Sequence, residues 1–384
     1  MGTIFKKMTI SFAGDICSEG RIGSIIEKGC FKNYFLGVRE YLSKSDYSIV
    51  NLECPICESD YLPIPKCGPN LKATPKIVDL IQYMGFKGVC LANNHISDYG
   101  TDGIYDTLKV LNDADLDSVG VGENLNEAIK PLFISSANQT IAIINCCEHE
   151  FSIVEDGKAG AAPVNPILLS YKIREVKSKC KYVAVIVHGG CEHFNLPTQR
   201  MIEMYRFFID CGADVVVNHH QHCYSGYEVY NGKPIFYGLG NFCFDCNDSN
   251  RKQWNRGIIV TIHFDETIGF EIVPFIQNEN SLGVSLCEYD SSEYLSIMND
   301  VRTLSEILSN PKELEKQYKA FLERTNLFYR NAIEPYSYYY LRALFEKGFL
   351  PSLMNNDKKK LLYNLIACES HRDRLLKSLL DEIK

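Results

Sequence analysis

A chain of 384 residues, 46% hydrophobic and 23% charged, has room for two or three domains at about 150 residues each. Its 26 Gly and 14 Pro, with no repeat, exclude collagen-like, coiled-coil and disordered classes. The net charge of −8, from 48 acidic and 40 basic residues, argues against nucleic acid as a partner, whose affinity comes from basic clusters that displace counterions.

No stretch of about 18 apolar residues is free of charge, so no membrane span is expected. The N-terminal MGTIFKKMTISFAGD has no apolar core before Ser11 and Asp15, and reads as a first strand, not a signal peptide. The 16 cysteines are scattered and several sit in apolar runs, which fits free buried thiols and a cytoplasmic protein.

In chain order, short β runs occur at MTISFAGD (8–15), SIVNLE (48–53), FKGVCLANNH (86–95), TIAIINCC (140–147), YVAVIVHGG (182–190) and ADVVVNHHQH (213–222). Amphipathic helices are expected between them, at 75–86, 101–115 and 197–212, the last stopped by Gly212. This alternation indicates an α/β layered domain. After residue 236 the runs IFYGLGNFCF, RGIIVTIHFD and GFEIVPFIQN suggest consecutive antiparallel strands completing a sheet. Residues beyond about 291 read as helices, with Pro311 at a helix start, so the expected division is 1–290 (α/β) and 291–384 (helical appendage).

The strands end in chemistry-capable residues: Asp15, Glu53, Asn94, His188, His220 and His222. Open α/β sheets place ligand sites at the carboxyl ends of their strands, so the six are expected to converge. Two carboxylates, a carboxamide and three imidazoles are the ligand types of a dinuclear divalent-metal site. Two ions about 4 Å apart can clamp and polarise a phosphoryl group and generate hydroxide near neutral pH. Any one of these residues alone would read as an ordinary strand-end polar group.

The series GD (14–15), NLECP (51–55), LANNHISDYG (91–100), HGGCEH (188–193), DCGADVVVNHHQH (210–222) and YNGKPIFYGLGNFCFD (230–245) resembles the CapA-type capsule-synthesis family. These are also called poly-γ-glutamate biosynthesis proteins, with a fold similar to the calcineurin-like metallophosphoesterases. The resemblance spans about residues 8–250. It implies a four-layer α-β-β-α sandwich with a C-terminal helical appendage, and a site in the loops after the strands.

Position by position, the resemblance implies Asp15 on one ion and near the second, Glu53 in the place of the bridging aspartate, Asn94 as a metal ligand, and His188 and His220 completing one ion's shell with His222 completing the other's. His95 would be a proton donor to a leaving group. Asp98, three residues on, would orient His95 or cap the turn. The ions could be Mn, Fe, Zn or Mg. The first motif departs from the usual Asp-x-His, carrying Asp15-Ile16-Cys17; Cys17 reads as a buried structural thiol or a soft ligand. His219, beside His220, would face the opposite side if the strand continued, and reads as a support behind the ligands or a structural residue.

Lys66 and Lys72 lie in a Gly-Pro loop, where a lysine could attract an anionic substrate or simply be solvated; Lys72, Glu192 and Asn241 are the substrate-contact candidates. Cys54-x-x-Cys57 with Cys67 is half a zinc pattern that only Cys243-x-x-Cys246 could complete in space. Tyr336, Tyr338, Tyr339 and Tyr340 would pack the helical tail on the α/β body.

The leading reading is a metal-dependent, phosphoesterase-like hydrolase of capsule or poly-γ-glutamate metabolism, with amide hydrolysis as a variant. It would act on an anionic polymer or phosphoester, with capsule-synthesis proteins as candidate partners. The alternative is a non-catalytic polymer-binding or assembly subunit, favoured by the missing first-motif histidine.

Overall fold

A computed structural model describes residues 8–136, 139–245, 252–279, 282–336 and 338–367, together with 371, 372, 375 and 379. The chain divides into two compact units, Met1–Leu314 and Glu315–Lys384.

The first unit opens with β1 (Met8–Cys17), α1 (Arg21–Glu27), α2 (Leu36–Leu42), β2 (Tyr47–Leu52), α3 (Ile77–Met84), β3 (Gly88–Cys90), α4 (Gly100–Asp113) and β4 (Asp117–Val119). It continues through β5 (Val121–Gly122), α5 (Leu125–Ala128), β6 (Leu132–Ser135), β7 (Thr140–Cys147), β8 (Gly160–Ala161), α6 (Pro166–Lys177), β9 (Tyr182–His188), α7 (Gln199–Asp210) and β10 (Val215–His219). The remainder is β11 (Tyr227–Tyr230), β12 (Lys233–Phe236), β13 (Asn241–Phe244), β14 (Arg256–Phe264), β15 (Gly269–Gln277), β16 (Val284–Leu286) and α8 (Ser292–Leu308).

One sheet has the order β16-β15-β14-β1-β2-β3-β4, and a second the order β11-β12-β10-β9-β7-β6. Strands β1 to β4 run parallel, as do β7, β9, β10 and β12. Strand β9 is buried throughout, which is why YVAVIVH is a continuous apolar run without alternation. Helix α3 presents Ile77, Leu80, Ile81 and Met84 on one stripe, and stops at Gly85 in the left-handed region (φ 93°). With Ile22 and Ile26 of α1 and Val38 and Leu42 of α2, this stripe shares a core with Val50 and Leu52 of β2. Helices α6 and α7 contact β9, β10 and β12, while β1 meets β10 and β4 meets β7. The layers are therefore helix, sheet, sheet, helix.

Two sequence expectations change here. The run IFYGLGNFCF is not one strand: β12 pairs parallel with β10 in the second sheet, whereas β13 pairs parallel with the end of β1 in the first. Gly240 (φ 79°) makes the crossing, and its carbonyl occupies the space a Cβ on Gly14 would need. Of the expected antiparallel run only β14 and β15 pair as anticipated, and β16, not expected from the sequence, extends it.

Helix α8 also belongs to the first unit, not to the tail. It buries Ile297, Val301, Leu304 and Leu308, packs on β11 and β15, and is capped by Ser291, whose Oγ accepts from Tyr294 N (3.2 Å). Ser305 Oγ accepts from Tyr227 N at 3.0 Å, and Tyr224 donates to Asp300 at 2.8 Å.

The second unit contains α10 (Tyr339–Glu346), α11 (Asn356–Ala367) and most of α9 (Pro311–Ile333). No strand occurs after Leu286 among the described residues. Its connections are tied locally: Glu334 accepts from Ser352 Oγ and from Leu353 N, and Tyr336 donates to Pro351 O (2.7 Å). Tyr336 packs on Phe345 of the same unit, whereas Tyr338, Tyr339 and Tyr340 are exposed.

Candidate metal centre

Five strand ends deliver polar side chains to one place. Asp15 comes from β1, Glu53 follows β2, Asn94 follows β3, His188 ends β9, and His220 and His222 follow β10. All but His220 are buried. Glu53 Oε1 lies 3.5 Å from His188 Nε2 and 3.7 Å from His222 Nε2. His188 Nε2 is in turn 3.1 Å from His220 Nδ1 and 3.0 Å from Asn94 Oδ1. Asp15 Oδ2 stands 3.8 Å from His222 Nδ1. Two sets thus have atoms close enough to share one cation: Glu53 with His188 and His220, and Asp15 with Glu53 and His222. Glu53 is common to both.

The turn after β10 explains how neighbouring histidines face one cavity. The strand stops at His219; His220 (φ 90°) and His222 (φ 55°) then adopt left-handed backbone, rare for side chains with a Cβ. The strand does not continue past His219, so the condition under which this residue would face away is not met. Its Nδ1 is buried and lies 3.5 Å from Asp15 Oδ1.

Electrostatics and hydrogen bonding fit a cation. Both Glu53 oxygens are buried without a hydrogen-bond partner, an arrangement that costs several kcal/mol for a bare carboxylate. Burial, with the Asp15 charge adding, holds the Glu53 carboxyl well above the ordinary carboxylate range. Burial pushes Asp15 up to about 7, against hydrogen bonds from Asn51 and the His220 amide. It lowers His219 and His222 to about 3, His220 to about 4, and His188 well below its usual value. The imidazoles are therefore neutral near pH 7, the form that binds metal. The residues present fit a divalent ion.

Several surrounding residues hold this set in place. Asn51, in the quoted NLE motif but not singled out by the sequence, donates to Asp15 Oδ1 (2.8 Å) and lies 3.3 Å from His188 Nδ1. Asn145 Oδ1 accepts from the amides of Leu91 and Ala92, fixing the start of the Asn94 loop. Asn241, expected to contact substrate, is fully buried and accepts from His222 Nδ1 at 2.9 Å. It thereby leaves Nε2 of His222 turned toward Glu53.

His95 Nδ1 is 2.7 Å from Asp98 Oδ2, so Asp98 does orient that ring. It is also a hub: its carboxylate takes Leu71 N (2.7 Å) and Lys66 Nζ (2.5 Å), and its carbonyl takes Ile64 N and Asn70 Nδ2. The lysine brought to the site is Lys66, with a side chain only 1% exposed. Lys72 instead pairs with Asp60 and lies over the Tyr99 ring, because the Asp98 contacts turn the loop between them. Glu192 feels His95 and Glu150, and partial burial holds its carboxyl above the usual range. A cavity of ≈ 220 Å³ opens over Asn94, His188 and His220, walled by Cys147, Glu148, His149, Glu150 and Gly190. Arg200 at this wall is paired with Glu148 at 2.5 Å.

The thiols lie outside the two sets. Cys17 is buried in the apolar core, in contact with Cys54, and joins neither group of ligand atoms. All described cysteines are free. Cys246 lies outside the described residues.

Two facing sheets between helical layers, with carboxylates and imidazoles gathered at the strand ends, define a four-layer α-β-β-α sandwich with a candidate metal centre. The chain belongs to the bacterial capsule synthesis protein PGA_cap family, whose sequence model matches residues 9–246. It is 31% identical over 289 residues to the capsule biosynthesis protein CapA of Bacillus anthracis, covering 72% of this chain and 69% of that one. It is likewise 31% identical over 277 residues to the PGA biosynthesis protein CapA of Bacillus subtilis, covering 70% and 71%. A crystal structure of a hypothetical protein from Thermus thermophilus aligns with a TM-score of 0.43 at 13% identity, over 70% of this chain and 99% of that one. Among the described residues, no helix is long and apolar enough to cross a membrane.

Proposed function

We propose that the chain is a metal-dependent hydrolase of phosphoesterase type that acts in capsule or poly-γ-glutamate polymer metabolism. The observation that carries this reading is Glu53, whose two buried oxygens lack any donor while standing between two sets of imidazoles. Asp15, Glu53 and His222 would hold one divalent ion, and Glu53, Asn94, His188 and His220 the other. Such ions would polarise the scissile phosphoryl or carbonyl group and supply a nucleophile near neutral pH.

The chain's own groups then divide the remaining work. His95 follows a ligand position without joining either ligand set, and Asp98 fixes its Nδ1. That leaves Nε2 to deliver a proton to the leaving group. The cavity wall carries Glu148 and Glu150, and the Lys66 ammonium beside His95 is neutralised by Asp98, so attraction for an anionic substrate would fall to the ions themselves.

The test pairs metal stoichiometry with hydrolysis of an aryl phosphate and a γ-glutamyl anilide. His95→Asn should lower turnover by about 10²–10⁴-fold with metal content unchanged. His220→Ala should lower metal content and turnover together. A wild-type protein that binds no divalent ion and cleaves neither substrate would leave the second reading, a polymer-binding assembly subunit. The absence of a first-motif histidine favours that reading.

A further inference from the structure

The first motif lacks its usual histidine, which raises the question of what supports Asp15. Cys17 does not: its thiol is packed against Cys54 in the core and shares no ligand set with Asp15. His219 stands in a different position. It ends β10 directly beside His188 of β9 in the parallel register, so the two side chains share a face. Its Nδ1 is buried, has no hydrogen-bond partner, and lies 3.5 Å from Asp15 Oδ1.

The two oxygens of Asp15 have different surroundings. Oδ1 receives Asn51 Nδ2 at 2.8 Å and faces His219. Oδ2 faces His222 at 3.8 Å and accepts from the His220 amide at 3.4 Å. We propose that His219 is the positioning residue of Asp15: its Nδ1–H, with Asn51, holds Oδ1 so that Oδ2 is presented to the ion shared with Glu53 and His222. The proposal rests on the metal-centre reading above. It assigns to His219 an outer role that compensates for the histidine missing at position 17.

Geometry gives a discriminating pair of substitutions, because an asparagine amide nitrogen can take the place of Nδ1 whereas a glutamine nitrogen takes that of Nε2. Full-length wild type, His219→Asn, His219→Gln and Cys17→Ala would be titrated with MnCl₂ and ZnCl₂ by equilibrium dialysis with elemental analysis. Trp254 gives a second readout, since it is the chain's single tryptophan and its ring lies 4.7 Å from that of His222. Its fluorescence should respond to Mn²⁺ at the Asp15 side.

The expected result is that His219→Gln weakens one of two bound ions by about 10–100-fold, the usual cost of removing an outer partner. His219→Asn and Cys17→Ala should stay near wild type. Equal losses in the Asn and Gln variants would show a packing role and overturn the proposal, as would no loss in either, or loss of an ion in Cys17→Ala. If the wild type holds two ions and His219→Gln holds them equally well, the His219 role alone fails. If the wild type holds none, the metal-centre reading fails and this proposal with it.

Discussion

Asp98 gathers more contacts than its place in the sequence suggests. One carboxylate orients His95, receives the Leu71 amide and neutralises a lysine whose side chain is 1% exposed. Removing one member of a buried pair leaves the other charge uncompensated, typically at a cost of about 3–5 kcal/mol. Asp98→Asn should therefore destabilise the protein by about that amount, and adding Lys66→Met should restore most of the loss. Chemical denaturation of both single variants and the double variant measures this; strictly additive losses would show that the ion pair is not the cause. The sequence made Asp98 a partner of His95 or a turn cap, and the structure uses both its side chain and its carbonyl. It put Lys72 rather than Lys66 forward as the substrate contact, because the choice depends on loop hydrogen bonds between residues far apart in sequence. Asn51 lay inside a recognisable motif, yet its contact with Asp15 needs the pairing of β1 and β2 to be known.

Secondary structure was most legible where apolar periodicity was strong. Helices α3, α4 and α7 and strands β7 and β9 fall within a few residues of their expected spans. The failures lie where a backbone turn, not a hydrophobic pattern, sets the course. Nothing in HHQH signals left-handed conformations at His220 and His222, and nothing in GLG says that the chain passes from one sheet to the other. The Gly14–Gly240 approach offers a test of that crossing. Gly14→Ala would drive a methyl group into the Gly240 carbonyl, and overpacking of this kind costs about 1–3 kcal/mol. The variant should unfold at lower denaturant and show altered Trp254 fluorescence, because β13 leads into the segment that packs Trp254 on Phe244. Unchanged stability and fluorescence would mean that the two strands separate without consequence.

For the whole molecule, both candidate ligand sets lie within Met1–Leu314. A protein ending at Leu314 should keep its metal stoichiometry and its melting temperature within the first unit. Ending at residue 290 should not, since α8 contributes four buried apolar side chains, each worth about 1.5–3 kcal/mol. Thermal unfolding of the two truncations decides the matter: equal midpoints would return α8 to the tail and support the boundary at 290. That boundary was drawn from a change of composition, and composition cannot tell a helix that covers a sheet edge from one in a separate unit. The four-layer arrangement, by contrast, came with the family resemblance that the motifs carry, since strand and helix alternation alone reads only as an α/β layered domain.

The parallel pairing of β1 with β13 sets Asp15 in register beside Asn241. One wall of the centre is thus made as synthesis begins, and the residue behind His222 emerges only when the α/β layers are nearly complete. Neither ligand set can assemble on a nascent chain before His220, for one, and His222, for the other, have been made. Closing so long a loop is entropically slow, and domains dominated by non-local parallel pairing fold late and expose their strands meanwhile. On the metal-centre reading, an ion is therefore available only to a chain made past the His220–His222 turn, and denied to shorter fragments.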